Sequence, residues 1–201
     1  MTWIELAAAR LENEHVLLQP LREEHRQLLR PIAMDPQIWT YFVTMIETEE
    51  DFHNWFDAAL AAQHAGRRVV FHITDKRCGA TAGSMSYSSF AEADRRLEVG
   101  ASWLGTAFRG RGVNRWAKFL LLRHAFDGLG AERVEFKTDV LNIKARRALR
   151  NIGATEEGVL RSYNFMPGGR RRDAVFYSVL RAEWPEVSQA LLTHGKLPVN
   201  Q

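Results

Sequence analysis

The chain has 201 residues, 46% of them hydrophobic and 25% charged, with a formal net charge of +3. That length can bury one sizeable core, so a single domain over residues 1–201 is expected, and the hydrophobic content excludes a disordered chain. Its one cysteine, Cys78, excludes an internal disulfide, and no Cys/His cluster has zinc-ligand spacing, so no metal is expected.

The N-terminal stretch carries Glu5, Glu12 and Glu14 where a secretory leader would be apolar. No run approaches the ~20 apolar residues of a membrane helix, and a cytoplasmic protein is expected. His15 to Leu21 reads as an opening strand, and EEHRQLLRPIA after it has helical spacing that Pro31 and Pro36 should interrupt. From Glu49 to Gln63, Phe52, Phe56, Ala59 and Leu60 recur at helical intervals, and Gly66 closes the pattern. Val69 to Thr74, Gly79 to Ser88 and Leu97 to Leu104 read as three strands of an antiparallel meander. Val113, Trp116, Ala117, Leu120, Leu121, His124 and Ala125 then mark one face of a helix that ends at Gly128 and Gly130. Arg133 to Thr138 is a strand, Asn142 caps a helix that runs through Arg150, and Gly153 ends it. VLRSYNFM and DAVFYSVL flank PGGRRR as a closing hairpin, and Glu183 to Leu192 forms a terminal helix.

The strand, helix and strand between residues 97 and 138 imply a parallel crossover, whose ligand belongs at the carboxyl end of the first strand. FRGRGVNR lies at that junction. Its backbone N–H groups begin a helix that cannot satisfy them, Gly110 and Gly112 let a ligand approach the main chain, and Arg109 and Arg111 add positive charge. The turn therefore suits a phosphate, although an ordinary strand-to-helix connection has the same outline. It is neither a Walker turn nor a three-glycine dinucleotide fingerprint. Arg115, Lys118 and Arg123 extend the basic stretch, while Arg170, Arg171 and Arg172 read as a solvated hairpin tip.

Across about Val16 to Trp184, the runs LEVGASWLGTAFRGRGVN, FKTDVLN and LRNIGATEEGVL resemble the GNAT acetyltransferases. More narrowly they resemble the RimJ and RimL branch, which acetylates ribosomal-protein N-termini. The resemblance implies an α/β fold with a mixed central sheet of about seven strands, an antiparallel N-terminal meander and flanking helices. It implies acetyl-CoA as cofactor and an amine acceptor as partner; relatives of this type are often homodimers, but the sequence does not fix the oligomeric state. The signature Gln/Arg-x-x-Gly-x-Gly/Ala is met by Arg109 and Gly112 and departed from at Asn114. Gly110, Arg111, Gly112, Val113 and Asn114 should hold the pyrophosphate with Arg109. Ser102, Trp103 and Leu104 should bind pantetheine through their backbone, and Asn142 should hydrogen-bond the same arm. Glu98 matches the acid proposed as general base in related enzymes. Trp39 and Tyr41, beside Phe42, occupy the region where relatives contact the acceptor, and Tyr163 is a further candidate there. Positions that relatives use to protonate the thiolate hold Ala145 and Leu149, neither a proton donor, which leaves water, a side chain from elsewhere such as Tyr163, or unassisted departure. His124 reads as a core histidine, and Cys78 has no partner base.

Three functions are compatible with this reading. The first is acetylation of a protein N-terminal α-amine. The second keeps the chemistry and takes a small amine, such as an aminoacyl conjugate, an antibiotic or a polyamine. The third is a non-catalytic CoA-binding or nucleic-acid-binding module, against which stands the shortage of aromatic platforms among the arginines.

Overall fold

The computed structural model of the protein describes residues 2–193. Helix α1 (Trp3–Ala7) and strands β1 (Leu11–Glu12) and β2 (Val16–Pro20) precede α2 (Arg26–Ala33), a 3₁₀ segment (Pro36–Tyr41) and α3 (Glu49–His64). Strands β3 (Val69–Asp75), β4 (Ala80–Ala91), β5 (Arg96–Val99) and β6 (Trp103–Leu104) come next. The chain continues through α4 (Val113–Arg123), β7 (Arg133–Asp139), α5 (Ile143–Asn151), β8 (Thr155–Phe165), β9 (Arg171–Leu180) and α6 (Trp184–Thr193).

All the strands form one sheet in the order β1-β2-β3-β4-β5-β7-β9-β8, with β6 continuing beside β4. The meander β2 to β5 is antiparallel, and β5 pairs parallel with β7 through Arg96↔Arg133, Leu97↔Val134 and Glu98↔Glu135. The crossover expected from the sequence is thus present, with α4 as its helix. The sheet has nine strands rather than about seven, because two-residue β1 was not read and Leu97–Leu104 is divided into β5 and β6.

Strand alternation sorts the side chains into two layers. Leu97 and Val99 of β5 and Val134 and Phe136 of β7 face α4, where they pack with Val113, Ala117, Leu120 and Leu121 and with Trp184 and Val187 of α6. On the opposite face, Val70 and Trp103 pack with Leu29 and Ala33 of α2, Ile38 and Trp39 of the 3₁₀ segment, and Phe52 and Phe56 of α3. Helix α3 starts where a reciprocal cap forms: Asp51 N–H donates to Thr48 Oγ1 at 3.1 Å, and Thr48 N–H donates to the Asp51 carboxylate at 2.9 Å.

Two details depart from the sequence reading. Pro31 lies inside α2 instead of ending it. Its fixed φ is already helical, only one N–H is forfeited, and the helix ends two residues later at Ala33, with Met34 N–H on Arg30 C=O as its cap. The arginine-rich tip is also less solvated than expected. Arg171 stays exposed, but Arg172 is buried and Arg170 donates to the buried Asp139 carboxylate.

Candidate active site

The division of residues 97–104 opens the sheet. Up to Glu98, β5 is held between β4 and β7. Gly100 N–H still donates to Ser86 C=O at 2.9 Å, and β6 then follows β4 through Ser84↔Trp103 and Gly83↔Leu104. Strand β7 instead follows β9 as far as Asp139↔Ala174. With each arm bound to a different neighbour, a wedge is left between Gly100–Leu104 and Phe136–Asp139. Gly83 permits this path, since a Cβ there would lie 2.2 Å from the Trp103 carbonyl oxygen. Its φ of +150° is also a conformation that side chains disfavour.

At the wide end of the wedge, on the α4 side, lies the glycine turn. Gly110 and Gly112 adopt φ of +74° and +85°, and Gly112 caps α4. The first bond to the cap is Trp116 N–H to Gly112 C=O at 3.0 Å, so the N–H groups ahead of Trp116 project from the helix start. Arg109 and Arg111 are exposed, and Arg109 Nε donates to Leu104 C=O at 3.2 Å, tying the turn to the end of β6. Val113 is buried against the sheet, while Asn114 is half-buried in the first turn. Arg115 lies over the Trp116 ring at 4.4 Å, and its buried Nε and Nη1 have no partner among the described residues. Burial pushes its pKa down, as for any cation without a counter-charge.

Lys118 reaches across the wedge itself. Only 5% exposed, its ammonium donates weakly to Ser102 Oγ at 3.4 Å and lies 4.9 Å from the Phe136 ring centre. Ser102 and Phe136 stand on the two separated arms. No carboxylate pairs with Lys118 among the described residues, and burial pushes its pKa down to about 8.

The opposite face carries the carboxylate. Glu98 is 8% exposed, takes a 2.7 Å ion pair from Lys137 Nζ and a 3.3 Å hydrogen bond from Ser89 Oγ. Its other oxygen points toward Gly100, where a Cβ would meet it at 3.2 Å. Lys137 Nζ also lies 5.9 Å from the Tyr163 ring, which packs edge-on against Phe176, so the closing hairpin brings Tyr163 beside this pair.

Next to it, between α3, the 3₁₀ segment and β6, is a cavity of about 440 Å³. Trp39, Phe42, Trp55 and Trp103 supply its aromatic walls, and Arg68, Asp51, Asn54 and Ala101 are among its other edges. The volume is within the ~300–1,000 Å³ range of small-ligand pockets.

The structure therefore collects the sequence candidates into three places along one opening. Arg109 to Asn114 form the turn, Ser102 to Leu104 line the wedge, and Glu98 stands at its apex with Trp39 and Tyr163 on the far side. Asn142 caps α5, its Oδ1 accepting from Ala145 N–H at 3.0 Å. Tyr41 is half-buried but does not line the cavity. His124 Nε2 lies 3.0 Å from the Leu6 carbonyl oxygen, an acceptor to which the ring must donate, and the residue belongs to the core side. Cys78 is exposed in the β3–β4 turn.

Sequence reasoning missed Arg68 and Trp55, and it grouped Lys118 with ligand-facing surface charge. A lysine within the buried stripe of α4 was the available signal for Lys118; nothing in the sequence marks Arg68. Among the described residues, no three His, Cys, Asp or Glu groups are placed to hold a metal, and no helix is long and apolar enough to cross a membrane.

A mixed sheet that parts beside a glycine-turn helix start, with an aromatic cavity on the other face, defines an acyl-transfer fold. Residues 15–155 match the acetyltransferase (GNAT) domain family, and the chain belongs to it. It is 33% identical over 178 residues to a Bacillus subtilis (strain 168) protein named provisionally as ribosomal N-acetyltransferase YdaF, covering 86% of this chain and 94% of that one. A crystal structure named provisionally as an acetyltransferase, from T. thermophilus, is 37% identical with a TM-score of 0.83, covering 92% of this chain and 96% of that one. Mycobacterium smegmatis RimJ, solved in complex with CoA-disulfide, shares the fold at a TM-score of 0.77 and 21% identity, covering 94% of each chain. The chain is accordingly an acetyltransferase.

Proposed function

We propose that this acetyltransferase takes its acetyl group from acetyl-CoA and delivers it to a primary amine, foremost a protein N-terminal α-amine. The observation that carries the reading is the wedge, which connects the glycine turn on the α4 face with the aromatic cavity on the other. A ligand held by the turn can reach through the sheet, and an acceptor in the cavity meets it beside Glu98.

The residues at the turn fit the anionic end of that cofactor. The projecting N–H groups of Arg111 to Asn114, the exposed Arg109 and Arg111, and the unpartnered Nε and Nη1 of Arg115 are donors that phosphate oxygens would satisfy. Ser102, Trp103 and Leu104 line the wedge where the pantetheine arm would lie, and Asn142, the cap of α5 three residues beyond β7, would hydrogen-bond that arm. Acetyl-CoA supplies the activated acyl thioester. Backbone N–H groups of Ser102 to Leu104 that face the wedge are placed to stabilise negative charge on a carbonyl oxygen held there. Glu98, screened from solvent and set beside Gly100, takes the proton of the attacking amine, directly or through a water. Lys137, at 2.7 Å, orients the Glu98 carboxylate for that role.

The names of the relatives favour a ribosomal-protein N-terminus as acceptor, and the one continuous sheet supports reading the chain as one domain. Titration calorimetry with acetyl-CoA, run beside a thiol-release assay on N-terminal peptides and small amines, tests the proposal. Micromolar binding with thiol release on peptides is expected. Release on small amines alone moves the acceptor to that class, and absence of binding overturns the cofactor assignment.

A further inference from the structure

Arg68, the residue before β3, is the one cation lining the aromatic cavity among the described residues, and its charge is not answered within them. Its Nε and Nη2 both donate to Ser86 Oγ, at 2.9 and 2.7 Å. Ser86 Oγ in turn donates to the Gly100 carbonyl at 2.6 Å. The guanidinium is thus fixed by a short chain that ends on the backbone of the wedge. Among the described residues, no carboxylate lies within ion-pair distance of it and nothing accepts from Nη1.

The other charges near the cavity are already engaged. Asp51, which also lines it, accepts from Thr48 N–H at 2.9 Å, Thr48 Oγ1 at 2.7 Å and Glu47 N–H at 3.1 Å, all in the cap of α3. Glu98 takes its ion pair from Lys137, and its field reaches Arg68 only as a secondary effect that partly opposes the loss of hydration. Arg68 is half-buried, and a cation partly withdrawn from water ordinarily gains a partner that offsets the lost hydration. A guanidinium on the wall of a largely aromatic and aliphatic cavity, whose one lining carboxylate, Asp51, is engaged in the cap of α3, has the geometry of a receptor for a carboxylate.

We propose that Arg68 is a specificity residue that binds a carboxylate borne by the acceptor within a few bonds of its reacting amine, while the rings of Trp39, Trp55 and Trp103 cover the acceptor's apolar part. The inference rests on the acetyl-transfer reading above and narrows its acceptor. The carboxylate has two sources: the α-carboxylate of a free amino acid, or an acidic side chain at the first or second residue of a peptide. Polyamines, which bring only positive charge to Arg68, are excluded as good acceptors.

The test uses the full chain and acceptor pairs that differ only in charge. One pair is a free amino acid and its amide; the other is a peptide with Glu second and the same peptide with Gln second. Wild-type kcat/KM should favour the charged member of one pair at least ~10-fold, and the pair that shows it identifies the source. Arg68→Gln should bring that ratio to near one, with the loss falling on the KM of the charged member and the ratio rather than the absolute rate as the readout, and Arg68→Lys should restore part of it. A wild type with no charge preference in either pair, a preference that survives Arg68→Gln, or best turnover of a polyamine overturns the proposal.

Fluorescence of the cavity tryptophans gives a second readout that does not depend on turnover. Saturable quenching by the charged member that Arg68→Gln abolishes supports the carboxylate site even if acetyl transfer is not seen, which would then be a failure of the functional reading alone. Charge-independent quenching overturns the site. If Arg68→Gln does not fold, Arg68→Lys carries the same comparison, with a weakened but surviving charge preference expected and an unaltered one refuting.

Discussion

Lys118 offers the sharpest test of the site's energetics. Burial moves its ammonium from the ordinary 10.5 to about 8, and at ~1.4 kcal/mol per tenfold change in proton affinity this corresponds to about 3 kcal/mol. The sign follows from proton counting. Between pH 8 and 10.5 the unfolded chain holds this proton and the native one does not, so wild-type stability rises with pH across that window. Below pH 8 both states are protonated and the full penalty is present. Lys118→Met keeps the volume and removes the charge, at the cost of the long bond to Ser102 and the contact with Phe136, together about 1 kcal/mol. The variant should therefore be about 2 kcal/mol more stable than wild type at pH 7, and the gain should vanish by pH 10.5. Urea unfolding followed by tryptophan fluorescence at pH 7, 8, 9 and 10 measures the difference. A gap that stays constant with pH, or a variant less stable at pH 7, refutes the picture of an unpaired buried ammonium in the wedge.

Gly112→Asp sets a carboxylate at the start of α4 where the proposal puts phosphate, so calorimetric titration should find acetyl-CoA binding lost while the fold, followed by circular dichroism, survives. Glu98→Gln should still bind acetyl-CoA and slow the chemical step ~100-fold or more in the thiol-release assay. Gly83→Ala drives a methyl into the Trp103 carbonyl, displacing β6 from the wedge, and should cost both stability and acetyl transfer where Gly79→Ala, with open space around it but also a positive φ, costs stability only. His72, stacked on His25 at 4.4 Å, has its pKa pushed down to about 4 by burial. The unfolded chain takes up that proton near pH 6.5 and the native one does not, so stability should fall as pH drops from 6.5 toward 4, and a His72→Gln variant should show a shallower fall in thermal melts.

Much of the fold was legible because it depends on local periodicity. The 3.6-residue spacing around Phe52 and Phe56 and around Ala117 and Leu120 gave α3 and α4, and the glycine turn stood out because its positive-φ positions and its arginines are adjacent in the chain. Asn142 was legible as a cap for the same reason, since its bond reaches only to Ala145. The break between β5 and β6 was not legible. LEVGASWL reads as one strand, and its division depends on both halves staying with β4 while β7, the other neighbour of β5, continues along β9 instead. Periodicity reports which face a residue occupies and says nothing about whether two strands part. The same limit hid Arg68 and Lys118. Each is an ordinary basic residue in sequence, and its unpaired state exists only because distant segments surround it without bringing a carboxylate. The sequence by itself determined most of the elements, the family and the position of the glycine turn; tertiary structure decided where the sheet opens and which charges stand unanswered beside the opening, because both are properties of contacts between residues far apart in the chain.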